Sequence, residues 1–175
     1  MKIAIVYTTT GGTTRECAYL LAKQLDRLDV TVADMNDGID IESFDAVVIG
    51  FPIRMGKASK RARRYFKENG AMLKKTKVGY FICCGFVDCF EEYKEKVIPK
   101  ELRDGAFDIC CLGGSLEPSR FKGFDKIVVK AVRSEILGGG ENGENRTDMS
   151  LPTIMDENIA QFADSIKKNG ENICW

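Results

Sequence analysis

The densest group of side chains able to do chemistry lies near the start of the chain, where Thr8, Thr9, Thr10, Thr13 and Thr14 surround Gly11 and Gly12. The segment follows an apolar run, Lys2–Tyr7, and leads into an amphipathic one. Backbone N–H groups at a helix start carry partial positive charge, glycines let the chain approach a ligand closely, and hydroxyls add donors. Together they make a phosphate cradle that needs no lysine. A plainer reading is a glycine-rich strand–helix turn with Thr14 as its N-cap. Five threonines exceed what a cap requires, so phosphate binding is preferred.

Other phosphate sites fail on residue type. The sequence has no Gly-Lys-Ser/Thr triphosphate loop and no G-x-G-x-x-G dinucleotide turn. A low-molecular-weight tyrosine phosphatase would carry a cysteine in this loop, and a response-regulator receiver would carry an acidic cluster. A phosphate monoester remains. With no histidine in the chain, a histidine general base is excluded. The seven cysteines, Cys17, Cys83, Cys84, Cys89, Cys110, Cys111 and Cys174, are odd in number and lack disulfide-framework, zinc or iron–sulfur spacing. They read as small buried hydrophobes, no metal is expected, and Cys89 is the one singled out for reactivity.

The elements that must position the loop follow from periodicity. Short runs rich in Val, Ile or aromatics predict strands at Lys2–Tyr7, Val30–Asp34, Asp45–Gly50, Lys77–Cys84 and Asp108–Gly113. Between them, Ala18, Leu21, Ala22, Leu25 and Leu28 form one helical stripe. Ala62, Tyr65 and Phe66 form a second, capped by Ser59 and stopped at Asn69-Gly70. Phe90, Tyr93 and Val97 mark a third, ended near Pro99. Ile159, Phe162, Ala163 and Ile166 mark the last, with Asp156 as its cap. Alternation of this kind predicts a single α/β domain over residues 1–175: a three-layer sandwich whose five-stranded parallel sheet, ordered 2-1-3-4-5, has helices on both faces. A ligand then sits beyond the carboxyl ends of the strands, at the loops after Tyr7, Gly50 and Cys84. The long connection at about 115–155 is an insertion before the last helix. It holds an amphipathic stretch, Phe124 to Val132, and a Gly/Asn/Glu-rich run, Gly138 to Asn145.

Composition limits the partners. The 175 residues are 44 % hydrophobic and 30 % charged with zero net charge, as in a soluble globular protein. The charge is uneven: residues 54–77 hold ten Lys/Arg against the single carboxylate Glu68, a solvated helix face or an attractor of anions. Without interleaved aromatics or overall basicity, nucleic acid is not a partner. The apolar start ends at Thr8 with no cleavage site, and no window approaches the roughly 20 apolar residues of a span. A cytoplasmic location is expected, with membrane contact at most peripheral and a homodimer left open.

The threonine loop resembles that of flavodoxins, which bind the phosphate of FMN in a Thr/Ser-rich, glycine-containing turn. Thr8 to Glu16, together with Gly50-Phe51-Pro52-Ile53-Arg54-Met55-Gly56-Lys57, is most similar to the flavodoxin-type, menaquinone-dependent protoporphyrinogen dehydrogenase family, in which G-x-x-I-R-x-G follows the third strand. Arg120 to Lys126 and the apolar helix after it resemble that family's insertion. The resemblance implies that FMN phosphate lies on Thr8, Thr9, Thr10, Gly11, Gly12, Thr13 and Thr14. The flavin ring would run along Pro52, Ile53, Arg54, Met55 and Gly56, with Cys84, Gly85, Phe86 and Val87 closing the other side and Phe86 stacking. Arg54 and Lys57 are the candidate catalytic groups, by charge and position. Two functions stay open. One is an FMN oxidoreductase acting on a porphyrinogen-type or other small substrate, with a quinone or similar acceptor. The other is an electron carrier between redox partner proteins. Electron-shuttling flavodoxins are strongly acidic, and this neutral chain with a basic cluster beside the ring loop leans toward the enzyme.

Overall fold

Strand β1 (Lys2–Tyr7) sets the frame because its side chains alternate between two apolar faces. Ala4 and Val6 join one buried cluster, whereas Ile3, Ile5 and Tyr7 join the other. The computed structural model describes residues 1–136 and 151–171. Along the chain β1 is followed by α1 (Thr13–Gln24), β2 (Asp29–Asp34), β3 (Ala46–Arg54), β4 (Lys57–Ala58), α2 (Lys60–Leu73) and β5 (Lys77–Cys83). Then come α3 (Phe90–Val97), the one-turn α4 (Lys100–Arg103), β6 (Ala106–Cys111), α5 (Gly123–Ile136) and α6 (Asp156–Glu171).

The sheet order is β2-β1-β3-β5-β6, all parallel, with β4 paired antiparallel to β3. This is the expected order with one short strand added. Cys17, Ala18 and Leu21 of α1 pack with Ile159, Phe162, Ala163 and Ile166 of α6 on one face. Ala62, Tyr65 and Phe66 of α2 pack on the other with Tyr93 and Val97 of α3. Burying a side chain such as Phe162, 1 % exposed, contributes about 2–3 kcal/mol. Among the described residues no helix is long and apolar enough to cross a membrane.

Strand β6 lies two residues earlier than Asp108–Gly113, at Ala106–Cys111, and α1 ends at Gln24, short of Leu25 and Leu28 of its expected stripe; four further boundaries differ from expectation, each for a physical reason. The third strand runs four residues past Gly50, because Met55 and Gly56 turn it back into β4 rather than releasing it into a loop. Helix α2 passes through Asn69-Gly70 to Leu73, since Leu73 is 3 % exposed and continues the inward stripe, while Asn69 Nδ2 donates to the Tyr65 carbonyl within the helix. Asp156 begins α6 and sits in its first turn, where its charge complements the helix dipole, instead of preceding it. Gly12, not Thr14, is the N-cap of α1. Ser59 caps α2 as expected, its hydroxyl accepting from the Ala62 amide at 3.1 Å. The Gly138 to Asn145 run and Cys174 lie outside the described residues.

Candidate functional site

The carboxyl ends of β1, β3 and β5 are neighbours in the sheet, so the three loops that leave them meet on one side. They enclose a cavity of about 280 Å³. Of the residues singled out in sequence, Thr9, Thr10, Gly11, Thr13, Thr14, Pro52, Ile53, Arg54, Met55, Gly56, Cys84, Gly85 and Phe86 line it. Thr8, Gly12, Lys57 and Val87 do not. The Thr8 hydroxyl accepts from Arg61 Nη1 at 3.5 Å, Lys57 is exposed on the hairpin, and Val87 packs against the α2-side core.

The threonine loop is shaped by its glycines. Gly12 has φ +87°, which a side chain would strain. A Cβ at Gly11 would lie 2.6 Å from the Phe121 ring, so only glycine allows that contact without a shift. The Thr9 hydroxyl accepts from the Gly12 amide at 2.9 Å and ties the loop to itself. The first bond of α1 runs from the Glu16 amide to the Gly12 carbonyl. The amides of Thr13, Thr14 and Arg15 are therefore left without intrahelical acceptors. Thr14 Oγ1 is buried with no hydrogen-bond partner in ordinary reach and only the Cys83 thiol beside it. Such an orphaned hydroxyl in a cavity wall, next to free amides, fits a phosphate oxygen.

The opposite wall is a hairpin. Arg54 pairs with Lys57 across a two-residue turn in which Met55 and Gly56 both have positive φ, +49° and +69°, the requirement of a type I′ turn. Met55 holds the left-handed conformation at a cost of about 1–3 kcal/mol, with its side chain 81 % exposed. Phe86 is 38 % exposed at the end of the β5 loop. Tyr93 of α3 comes within 3.7 Å of a Cβ built on Gly56.

Sequence reasoning expected the insertion to shape the pocket but named none of the residues of this third wall. Leu116, Phe121, Val128, Val129 and Val132, from the segment after β6 and from α5, give the cavity an apolar side. The amphipathic stripe of α5 was legible, but nothing local to it names the surface it covers. Long-range contacts decide that. Arg54 forms a two-pronged pair with Asp125, at 2.6 Å and 2.5 Å, and its guanidinium lies 5.9 Å from the Phe121 ring centre. Arg120 pairs with Glu16 of α1 at 2.6 Å. The hydrogen bond from Arg54 is the main cause holding the Asp125 carboxyl below its usual pKa. Arg54 is the one charged side chain lining the cavity among the described residues, and Asp125 neutralises it.

Four of the ten basic residues in 54–77 meet carboxylates: Arg54 with Asp125, Arg61 with Asp34, Arg64 with Glu68 and Lys74 with Glu101. Cys89 lies outside the cavity lining, at the start of α3. Cys111 carries the lowered thiol pKa instead, at about 7, mainly through the hydrogen bond from Cys84. Among the described residues no group of His, Cys, Asp or Glu is arranged to hold a metal ion.

Comparison with known proteins gives this geometry a lineage. Over residues 4–142 the chain matches the model of the flavodoxin domain family. It is 27 % identical over 182 residues to protoporphyrinogen IX dehydrogenase [quinone] of Escherichia coli K12, covering 95 % of this chain and 94 % of that protein. A variant of Fusobacterium nucleatum flavodoxin bound to flavin mononucleotide superposes with a TM-score of 0.51, at 16 % identity over 96 % of each chain. A short-chain flavodoxin associated with a bacterial microcompartment gives 0.54, at 13 % identity over 97 % of this chain and 98 % of the other. Because the family model spans residues 4–142, well over half of the chain, the chain belongs to the flavodoxin domain family.

Proposed function

We propose that the chain is an FMN-dependent oxidoreductase, with the cofactor phosphate on the threonine loop and the flavin ring between the Pro52–Gly56 hairpin and Cys84–Phe86. The observation that carries this reading is the unpartnered Thr14 hydroxyl beside the free amides of α1, in the wall where three strand-end loops converge. Family membership and the FMN-bound Fusobacterium nucleatum neighbour support it.

Bound FMN would supply the electron-transfer chemistry. The chain binds, orients and shields. Thr10, Thr13, Thr14 and the α1 amides hold the phosphate without a cation, because among the described residues the one charged side chain in the lining, Arg54, is committed to Asp125. Arg54 therefore acts chiefly by holding α5 and Phe121 in place, and through its residual field at the ring edge. Lys57, exposed on the hairpin, can steer an anionic substrate from outside. Leu116, Phe121, Val128 and Val132 exclude water from one side of the cavity. A substrate approaches between the exposed Met55 and Phe86.

The apolar wall from the insertion favours an enzyme over an electron carrier, because it builds a surface for a small molecule. The name of the Escherichia coli relative supports a porphyrinogen-type or similar substrate with a quinone or similar acceptor. Anaerobic reduction of the FMN-loaded protein tests this: NADH, NADPH and a porphyrinogen are added in turn and the flavin bands are followed. Bleaching by one donor, with reoxidation by a soluble quinone, is the expected result. Binding of FMN with no bleaching by any of them would leave the carrier.

A further inference from the structure

The buried cysteines form two close pairs, and they differ in what reaches the sulfurs. Cys17 and Cys83 lie 3.7 Å apart, and the hydrogen bond that the Cys83 thiol donates to Cys17, with burial after it, pushes the Cys83 thiol pKa up. Cys84 and Cys111 lie 3.5 Å apart on the adjacent ends of β5 and β6. Here a backbone donor joins in: the Gly113 amide points at Cys111 Sγ from 3.4 Å. The Cys84 thiol donates to the Phe86 carbonyl at 3.4 Å and faces Cys111. The single Cys84 hydrogen has two acceptors in reach, the Phe86 carbonyl and Cys111 Sγ; turned to Cys111 it joins the Gly113 amide in favouring a thiolate there, while Cys84 keeps its proton and forms part of the cavity wall.

We propose that Cys84 and Cys111 are a redox-active dithiol, closed to an intramolecular disulfide by a small hydroperoxide that enters through the cavity. The chemistry does not depend on a bound cofactor. Cys84 sulfur attacks the outer peroxide oxygen as its proton passes to the Cys111 thiolate. The O–O bond breaks, the peroxide takes two electrons, and its remainder leaves as alkoxide or hydroxide, which gains a proton from solvent. Cys84 becomes a sulfenic acid. Cys111 sulfur then attacks Cys84 sulfur, its proton leaves with the hydroxyl as water, and the S–S bond forms. The sulfurs must approach from 3.5 Å to the bonded distance of about 2.05 Å. Closure also removes the thiol hydrogen that binds the Phe86 carbonyl, so the state of the pair is felt by the loop at the cavity mouth.

The test is to treat the reduced chain with equimolar hydrogen peroxide and read its intact mass and its fragment spectrum without reductant. The expected product is monomeric, lighter by two hydrogens, and linked between Cys84 and Cys111. Cys84→Ser and Cys111→Ser should each abolish it, whereas Cys83→Ser and Cys110→Ser should retain it. Absence of the two-hydrogen loss, a loss that survives Cys84→Ser, or a link between Cys17 and Cys83 would overturn the proposal. If a serine variant does not fold, the wild-type fragment spectrum decides alone.

Discussion

The threonine loop and the α5 strap both wall the cavity and are built by opposite means. The loop is made locally: Thr9 bonds Gly12, Gly12 caps α1, and the free amides follow from the helix start. The strap is held from a distance, by Arg54 with Asp125, Arg120 with Glu16, and Phe121 over Gly11. Local construction gives a fixed donor array. Distant construction gives a wall whose position depends on partly exposed ion pairs, each worth little alone.

Breaking the loop should have the largest effect. Thr14→Val keeps the shape and removes the orphaned hydroxyl, so FMN affinity should fall about ten- to a hundredfold, the range for a hydrogen bond to a charged group. Stability without FMN should be unchanged or slightly higher, since a buried unpaired group is lost. Calorimetric titration and thermal melting read the two opposite signs. Lower stability with unchanged affinity would make Thr14 a packing residue.

Breaking the strap should be milder. Asp125→Asn frees Arg54, and FMN should dissociate about three- to tenfold faster, while the pair's loss costs under about 1 kcal/mol because both side chains are a third exposed. Stopped-flow displacement of FMN measures the rate. The same pair fixes a pH dependence. The folded Asp125 pKa is depressed, so its contribution is present above the unfolded carboxylate value of about 3.9 and fades as pH falls through the lowered folded value. The dissociation rate should hence be flat from neutral pH down to about pH 4 and rise below it, with no such rise in Asp125→Asn.

Two smaller changes sharpen the contrast between strained and relaxed positions. Met55→Asn, at φ +49°, should raise stability by about 0.5–1 kcal/mol by relieving the left-handed strain, read as a higher midpoint in urea. Tyr80→Phe, far from the cavity mouth, removes a fully buried hydroxyl that has no partner, and should be neutral or stabilising by up to about 1 kcal/mol.

The same contrast explains how much could be read from the chain. Strand order, both core faces and five of the cavity-lining residues, Thr9, Thr10, Gly11, Thr13 and Thr14, were legible because alternation along β1 or the threonine cluster is a short-range pattern, whereas Pro52–Gly56 and Cys84–Phe86 came from the family resemblance. The β3 extension was hidden, since Pro52 suggests a strand's end and only the Met55-Gly56 turn keeps Ile53 and Arg54 paired with β4. The end of α2 was misplaced for the reverse reason: Gly70 looked like a stop, but burial of Leu73 outweighs it. Val128 and Val132 were visible as part of a stripe, Val129 was not, and none of the three was marked as a cavity-lining residue. No local pattern joins Arg54 to Asp125, seventy-one positions apart.

The most direct measurement is a parallel calorimetric titration of the protein with FMN and with riboflavin, which differ only in the phosphate. The account predicts one FMN per chain, bound far more tightly than riboflavin, with the gap narrowing sharply in Thr14→Val. Equal affinities, or no binding of FMN at micromolar concentration, would contradict it.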